Sequence, residues 1–159
     1  MDVFRQLTAA LQAAGVEFRA THHRPVYTSV EAAEVRGARL HSGAKALILK
    51  GDDRFILAVL PADLALDSKA LRSRLGWRTL RFATKEELLD LTGLTPGSVP
   101  PFGNLFKLET YCDTRLADNE SINFNAGSHE DSIQMTYAAY LLFERPNLVE
   151  LSKAAEART

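Results

Sequence analysis

Three places in the sequence combine residue types that could act on a ligand. The first is Lys45, at the head of the run Ala46-Leu47-Ile48-Leu49. A run that is apolar at every position reads as a central strand covered on both faces. Period two puts Lys45 on the same face as Leu47 and Leu49. A lysine at the rim of such a strand either snorkels its ammonium to solvent or aims a cation at an anionic or carbonyl group of a ligand. Lys50 is the weaker candidate, because it abuts the turn Gly51-Asp52-Asp53 and is expected to be solvated.

The second place is the loop Gly97-Ser98-Val99-Pro100-Pro101-Phe102-Gly103. Two prolines and two glycines in seven residues give a stiff backbone with special dihedrals at its ends. Such a backbone can present N–H groups to a carbonyl or a water without side-chain chemistry, or it can be a plain connector. Phe102 is either a packing anchor or a stacking surface for a base. The third place is the turn Gly127-Ser128-His129-Glu130, where His129 could contact a ligand or stand solvated. Ser128 beside His129 is not the Gly-x-Ser-x-Gly elbow, and neighbours in sequence rarely form a triad.

Other chemistries lack their residues. His22, His23, His41 and His129 show no metal-ligand spacing, and there is no Cys-x-x-Cys or His-Glu-x-x-His, so no metal is expected. No P-loop and no Gly-x-Gly-x-x-Gly occur, so no nucleotide cofactor is expected. Cys112, the single cysteine, could be a nucleophile or a small core hydrophobe. It can form no disulfide within the chain, which fits a reducing compartment.

The elements that must position these groups are legible from spacing. Asp2 caps a helix with Val3, Leu7, Leu11 and Ala14 on its apolar face, ended by Gly15. Val16, Phe18 and Ala20 alternate as a half-buried strand, and Thr21 to Pro25 leave it as a loop. Thr28-Ser29-Val30-Glu31 is a capping-box pattern for a short helix to about Arg36. Ala44–Lys50 and Arg54–Leu60 form a hairpin around a three-residue turn. Asp67 and Thr84 start two further helices, stopped by Gly76 and Gly93, with a strand at Thr79–Ala83 between them. Phe106–Tyr111, Ser121–Asn125 and Ser132–Met135 read as strands, and Thr136 caps a last helix, Tyr137–Glu144. The expected fold is α/β of the α+β kind: a mixed, partly closed sheet of about seven strands with helices around it.

At 159 residues, 46% apolar and 25% charged, the chain is expected to be one domain spanning 1–159. Its net charge of −1 argues against a long phosphate track, so any nucleic-acid contact should be local, such as one end of an RNA. The N-terminus has no signal-peptide pattern and no apolar run approaches the roughly 18 residues of a membrane span, so a soluble, cytoplasmic protein without membrane contact is expected.

The order of these features resembles the YbaK/ProX family of aminoacyl-tRNA deacylases, free-standing relatives of the editing domain inserted in bacterial prolyl-tRNA synthetases. The resemblance runs from about Leu7 to Leu142. It is carried by Pro25-Val26-Tyr27-Thr28-Ser29 with Glu31-Ala32-Ala33, by Ala44 to Leu49, by Thr95 to Gly103, and by the strand-turn-strand from Ile122 to Met135. It implies hydrolysis of the ester of mischarged tRNA carrying a small amino acid, without cofactor or metal. The implied partners are the 3′ end of aminoacyl-tRNA and, in some members, an aminoacyl-tRNA synthetase. Lys45 would be the catalytic lysine, Gly97 to Pro101 the Gly-x-x-x-Pro loop beside the scissile ester, and Gly127 the glycine turn lining the aminoacyl pocket. The cleft is then expected to join Lys45, the loop from Gly97 to Gly103, Thr28-Ser29, and Gly127-Ser128-His129. Asn125 stands where the alanine-specific branch carries histidine, which bears on the amino-acid preference. The alternative reading is a module that binds a tRNA 3′ end or a nucleotide without cutting.

Overall fold

A computed structural model describes residues 2–156; Met1 and residues 157–159, part of the expected span 1–159, lie outside the described residues. Each of the five helices among them starts at a side chain that accepts a backbone N–H from the first turn. Asp2 caps α1 (Val3–Ala13), Thr28 caps α2 (Ser29–Arg36) and Asp67 caps α3 (Ser68–Leu75). Thr84 opens α4 (Lys85–Thr92) as a complete capping box with Glu87, and Thr136 caps α5 (Tyr137–Glu144). These caps satisfy donors that the first turn leaves orphaned, which is why short polar side chains mark the boundaries so well.

The strands form three sheets rather than one. β2 (Ala44–Gly51) and β3 (Arg54–Pro61) pair antiparallel at the centre of a five-stranded sheet. β5 (Leu80–Phe82) adds antiparallel beside β2, while β6 (Glu109–Asp113) and β9 (Asn147–Val149) continue parallel beyond β3. A second sheet pairs β1 (Arg19–His22), β8 (Asp131–Thr136) and β7 (Ser121–Asn125), in that order, antiparallel. β4 (Leu64–Leu66) and β10 (Ser152–Ala154) make a small antiparallel ribbon.

The α+β class stands, with ten strands among the described residues in place of about seven, and the main sheet is not closed. Among the described residues one backbone bridge, Gly43 to Asn123, joins the two larger sheets, too little to merge them, and otherwise they pack through the larger core. β2 does lie between two apolar layers. Ala44 and Ile48 belong to the larger core with Leu7, Leu57, Phe102 and Phe124. Leu49 belongs to a smaller core with Ile56, Leu60 and Leu71 on the other face, against which Leu47 packs. The hairpin turn is Asp52-Asp53 alone, because Gly51 stays in the strand opposite Arg54.

A carboxylate-free cavity at the seam between the sheets

Where β2 enters the main sheet, its first residues face α2 and β7 across a cavity of about 180 Å³. The floor is Ala44, Lys45, Ala46 and Leu47 of β2 with Asn123, Phe124 and Asn125 of β7. One wall is Val26 to Ser29 with Ala32, Ala33 and Arg36 of α2; the other is Gly97, Val99 and His129. Among the described residues three cations line it, Arg36, Arg39 and Lys45, and no aspartate or glutamate does. In a chain of net charge −1 this is a local positive site, suited to an anionic group.

The Lys45 ammonium is half-buried and donates a hydrogen bond to the Leu64 carbonyl. Burial lowers its pKa from the usual lysine value, and the nearby Asp63 carboxylate opposes part of that shift. Asp63 is itself held by His41, whose Nδ1 lies 2.7 Å from it and whose Nε2 lies 3.1 Å from Asp118.

The Gly97 loop is divided by burial. Gly97 and Val99 line the cavity, whereas Ser98, Pro100, Pro101, Phe102 and Gly103 do not. The Pro101 carbonyl accepts a buried hydrogen bond from the Tyr140 hydroxyl at 2.6 Å, and the Gly103 N–H donates to Thr110 Oγ1 at 2.9 Å. Phe102 has no exposed surface and packs edge-on against Phe124, Tyr140 and Phe143. It is the packing anchor of the two readings, with no face left for a base. Pro100 and Pro101 lack an N–H, and those of Phe102 and Gly103 are engaged by the Pro100 carbonyl and Thr110, which leaves Gly97, Ser98 and Val99 as the loop's candidate donors. The Ser98 N–H goes to the Thr95 carbonyl; those of Gly97 and Val99 find no acceptor among the described residues.

The glycine turn is divided too. Gly127 is absent from the cavity lining; its N–H holds the Ser98 carbonyl at 2.8 Å, and a Cβ there would sit 3.1 Å from the Phe4 nitrogen. Its φ of +98° would strain any other residue. Ser128 is committed to Asp131, donating to its carboxylate at 2.7 Å and accepting from the Glu130 and Asp131 amides. His129 alone of the three reaches the cavity. A carbonyl only accepts, so the 3.0 Å contact with the Val26 carbonyl requires a proton on His129 Nδ1, while Nε2 lies 3.4 Å from Thr95 Oγ1. Thr28 and Ser29 line the opposite wall.

Several lining residues carried no signal of their own in the sequence. Arg36 sits in the last turn of α2, where an arginine reads as a solvated cap, yet it is largely buried, and burial lowers its pKa to about 10. It donates from Nε to Ser132 and from Nη2 to Asn125, whose own amide reaches the Gly97 carbonyl at 2.8 Å. Tyr27 stands 72% exposed at the rim, with its ring centroid 4.8 Å from that of His129. Cys112 is fully buried, and burial with the adjacent Asp113 charge pushes its thiol up to about 12, which makes it a core residue rather than a nucleophile.

Residues 23–143 match the family model of the aminoacyl-tRNA editing domain. The chain is 35% identical over 156 residues to the multifunctional Ser/Thr-tRNA deacylase ProXp-y of Escherichia coli K12, covering 95% of this chain and 93% of that one. It is 26% identical to the prolyl-tRNA editing protein ProX of Acetoanaerobium sticklandii, over 86% of this chain and 87% of the other. Among solved structures, one described as a trans-editing enzyme for prolyl-tRNA synthetase superposes with a TM-score of 0.84 at 25% identity, covering 97% of this chain and 99% of that one. With a family model spanning most of its length and a relative matched nearly end to end, the chain belongs to the aminoacyl-tRNA editing domain family.

Proposed function

We propose that this protein is a trans-editing, cytoplasmic deacylase that hydrolyses the ester of mischarged tRNA carrying a small amino acid. The observation that carries the reading is the cavity itself: cationic, free of carboxylates, and bordered by Gly97 and Val99, whose N–H groups find no acceptor among the described residues. An aminoacyl ester on a terminal ribose needs a cation for the aminoacyl end, donors for the developing oxyanion, and a placed water. Lys45 supplies the cation at the floor. The Gly97 and Val99 amides are the candidate oxyanion donors, held in place by the bonds from Asn125 to the Gly97 carbonyl and from Gly127 to the Ser98 carbonyl. Pro101 serves by pinning the loop to Tyr140 rather than by touching substrate. Tyr27 takes the stacking role for the terminal base that buried Phe102 cannot fill. Thr28, Ser29 and His129 complete the walls.

At about 180 Å³ the cavity is small beside the ~300–1,000 Å³ of ordinary ligand pockets, so side-chain size matters there. Exclusion of larger side chains then sets specificity, with serine and threonine esters first in line by the activity named for the E. coli relative. The test is a panel of seryl-, threonyl-, alanyl-, cysteinyl- and prolyl-tRNAs incubated with this protein alone. Hydrolysis of at least one, above the spontaneous rate, is expected. Binding to the panel without hydrolysis of any member would favour the non-catalytic module; hydrolysis only on adding a synthetase would make that enzyme an obligate partner.

A further inference from the structure

Behind Arg36 lies a second cavity, of about 160 Å³, between α2 and the β1–β8 edge of the smaller sheet. It shares Arg36 and Asn123 with the first, so the two are neighbours across one guanidinium. Its lining also includes Arg19, Thr21, His22 and His23, and again no aspartate or glutamate.

Its hydrogen bonds run in one direction. His23 Nδ1 lies 2.8 Å from the Arg24 carbonyl, which can only accept, so the ring proton is on Nδ1. His23 Nε2 lies 2.7 Å from Ser132 Oγ, which accepts from Arg36 Nε at 2.9 Å. Arg36 is thus oriented by neutral partners, Ser132 and Asn125, and no carboxylate neutralises it. Two of its five N–H donors are engaged by these bonds among the described residues. An oriented, desolvated guanidinium without a counter-ion suits a bidentate acceptor, and a phosphate is the acceptor that an RNA end provides. The nearby carboxylates, Glu130 and Asp131, lie outside the lining and face His22 at 3.9 and 3.0 Å, so Arg19 and Arg36 carry the attraction.

We propose that this second cavity binds the phosphodiester between the last two nucleotides of the acceptor strand, with Arg36 as the wall between the aminoacyl ester on one side and that phosphate on the other. The proposal rests on the deacylase reading, and it adds a ruler: the ester enters the first cavity only when the phosphate one ribose away is seated in the second. Arg19 closes the outer rim.

The test separates charge from everything else in the ligand. Calorimetry compares the dinucleotide CpA with its methylphosphonate analogue, which keeps both nucleosides and removes the charge. The phosphodiester is expected to bind at least about tenfold tighter, the worth of one well-placed charge-assisted contact. Arg19→Gln should close that gap, and so should Arg36→Lys, checked for folding by its melt; Lys85→Gln, on α4 away from both cavities, should leave it open. Equal binding of the two ligands to the parent protein would overturn the proposal, as would a gap that survives Arg19→Gln and Arg36→Lys. The readout does not depend on hydrolysis. Loss of deacylation across the tRNA panel with the gap intact would sink the deacylase reading alone; deacylation without a gap would sink the second site alone.

Discussion

Gly97 and His129 approach so closely that a Cβ on Gly97 would lie 3.1 Å from His129 Cε1. The same glycine has φ of +87°, in the region that L side chains rarely adopt. Two independent constraints therefore fall on one position of the cavity wall. Gly97→Ala is expected to cost about 1–2 kcal/mol of stability from the backbone alone, and to displace His129 from its bond to the Val26 carbonyl. Deacylation should fall by more than the melt implies, because the neighbouring amides move with the loop. A variant that unfolds earlier yet hydrolyses at the parent rate when folded would show that the loop's placement is irrelevant to turnover.

Lys45→Ala is expected to cut single-turnover deacylation by about a hundredfold, near 3 kcal/mol of lost transition-state stabilisation, while the protein still folds. The fold loses the hydrogen bond to the Leu64 carbonyl, a loss of about 1 kcal/mol. Lys50→Ala is the control: that ammonium lies 5.5 Å from the Phe55 ring centroid and is absent from the cavity lining. Parent-like turnover by Lys45→Ala would remove the lysine from the mechanism.

Tyr27 and Phe102 divide the roles of exposed and buried aromatic. Tyr27→Ala should raise KM for aminoacyl-tRNA by about tenfold or more, consistent with ~1–3 kcal/mol per stacked base, with little change in the melt; Tyr27→Phe should restore binding. Phe102→Ala should instead cost about 3–5 kcal/mol of stability by opening a cavity in the core. The reverse pattern in the two melts and the two KM values would exchange their assignments.

His41 predicts a pH dependence of stability. Burial pulls its pKa down, but the hydrogen bonds and charges of Asp63 and Asp118 together outweigh this and leave it raised above 6.5. A group whose folded pKa is raised contributes stability that is complete below its unfolded value and is lost as pH climbs through the folded value. Melts of the parent and His41→Gln should therefore differ more at about pH 5.5 than at about pH 8.5, by on the order of 1 kcal/mol or less after solvent screening. A gap that is constant, or wider in alkali, would contradict the assignment of the charged bridge.

The helices were legible because their signals are local: each cap lies within three residues of the N–H it satisfies, as Thr84 does for Glu87. The hairpin and β7 were legible for a similar reason, as apolar runs with breakers at their ends. Where pairing depends on distant partners, sequence spacing misplaces the strand. Val16 and Phe18 alternate as a strand should and pack on the core, but the residues that pair with β8 are Arg19–His22, all exposed. β6 begins at Glu109 rather than Phe106, because Gly103–Phe106 is a 3-10 turn and Lys107 follows at φ +60°. β4, β9 and β10 are three residues each and exist only through their partners. At the site, Lys45 and Gly97 stood out because their residue types conflict with their surroundings. Arg36 did not, because nothing local distinguishes a helix-end arginine in water from one folded under Ser132.

The lone Gly43–Asn123 bridge gives the cavity floor the character of a crevice between two plates. Eight residue pairs are laddered together along β2 and β3 of one plate and five along β7 and β8 of the other, so neither plate bends easily. Prising the plates apart at Gly43 breaks in backbone terms only that bridge, with the Asn123 to Ser42 side-chain bond beside it. What holds the plates together is the larger core, which takes Ala44, Ile48 and Leu57 from one sheet and Ile122, Phe124, Ile133 and Met135 from the other. The seam is therefore a joint of side chains rather than of backbone, and it can adjust by repacking while both ladders stay intact.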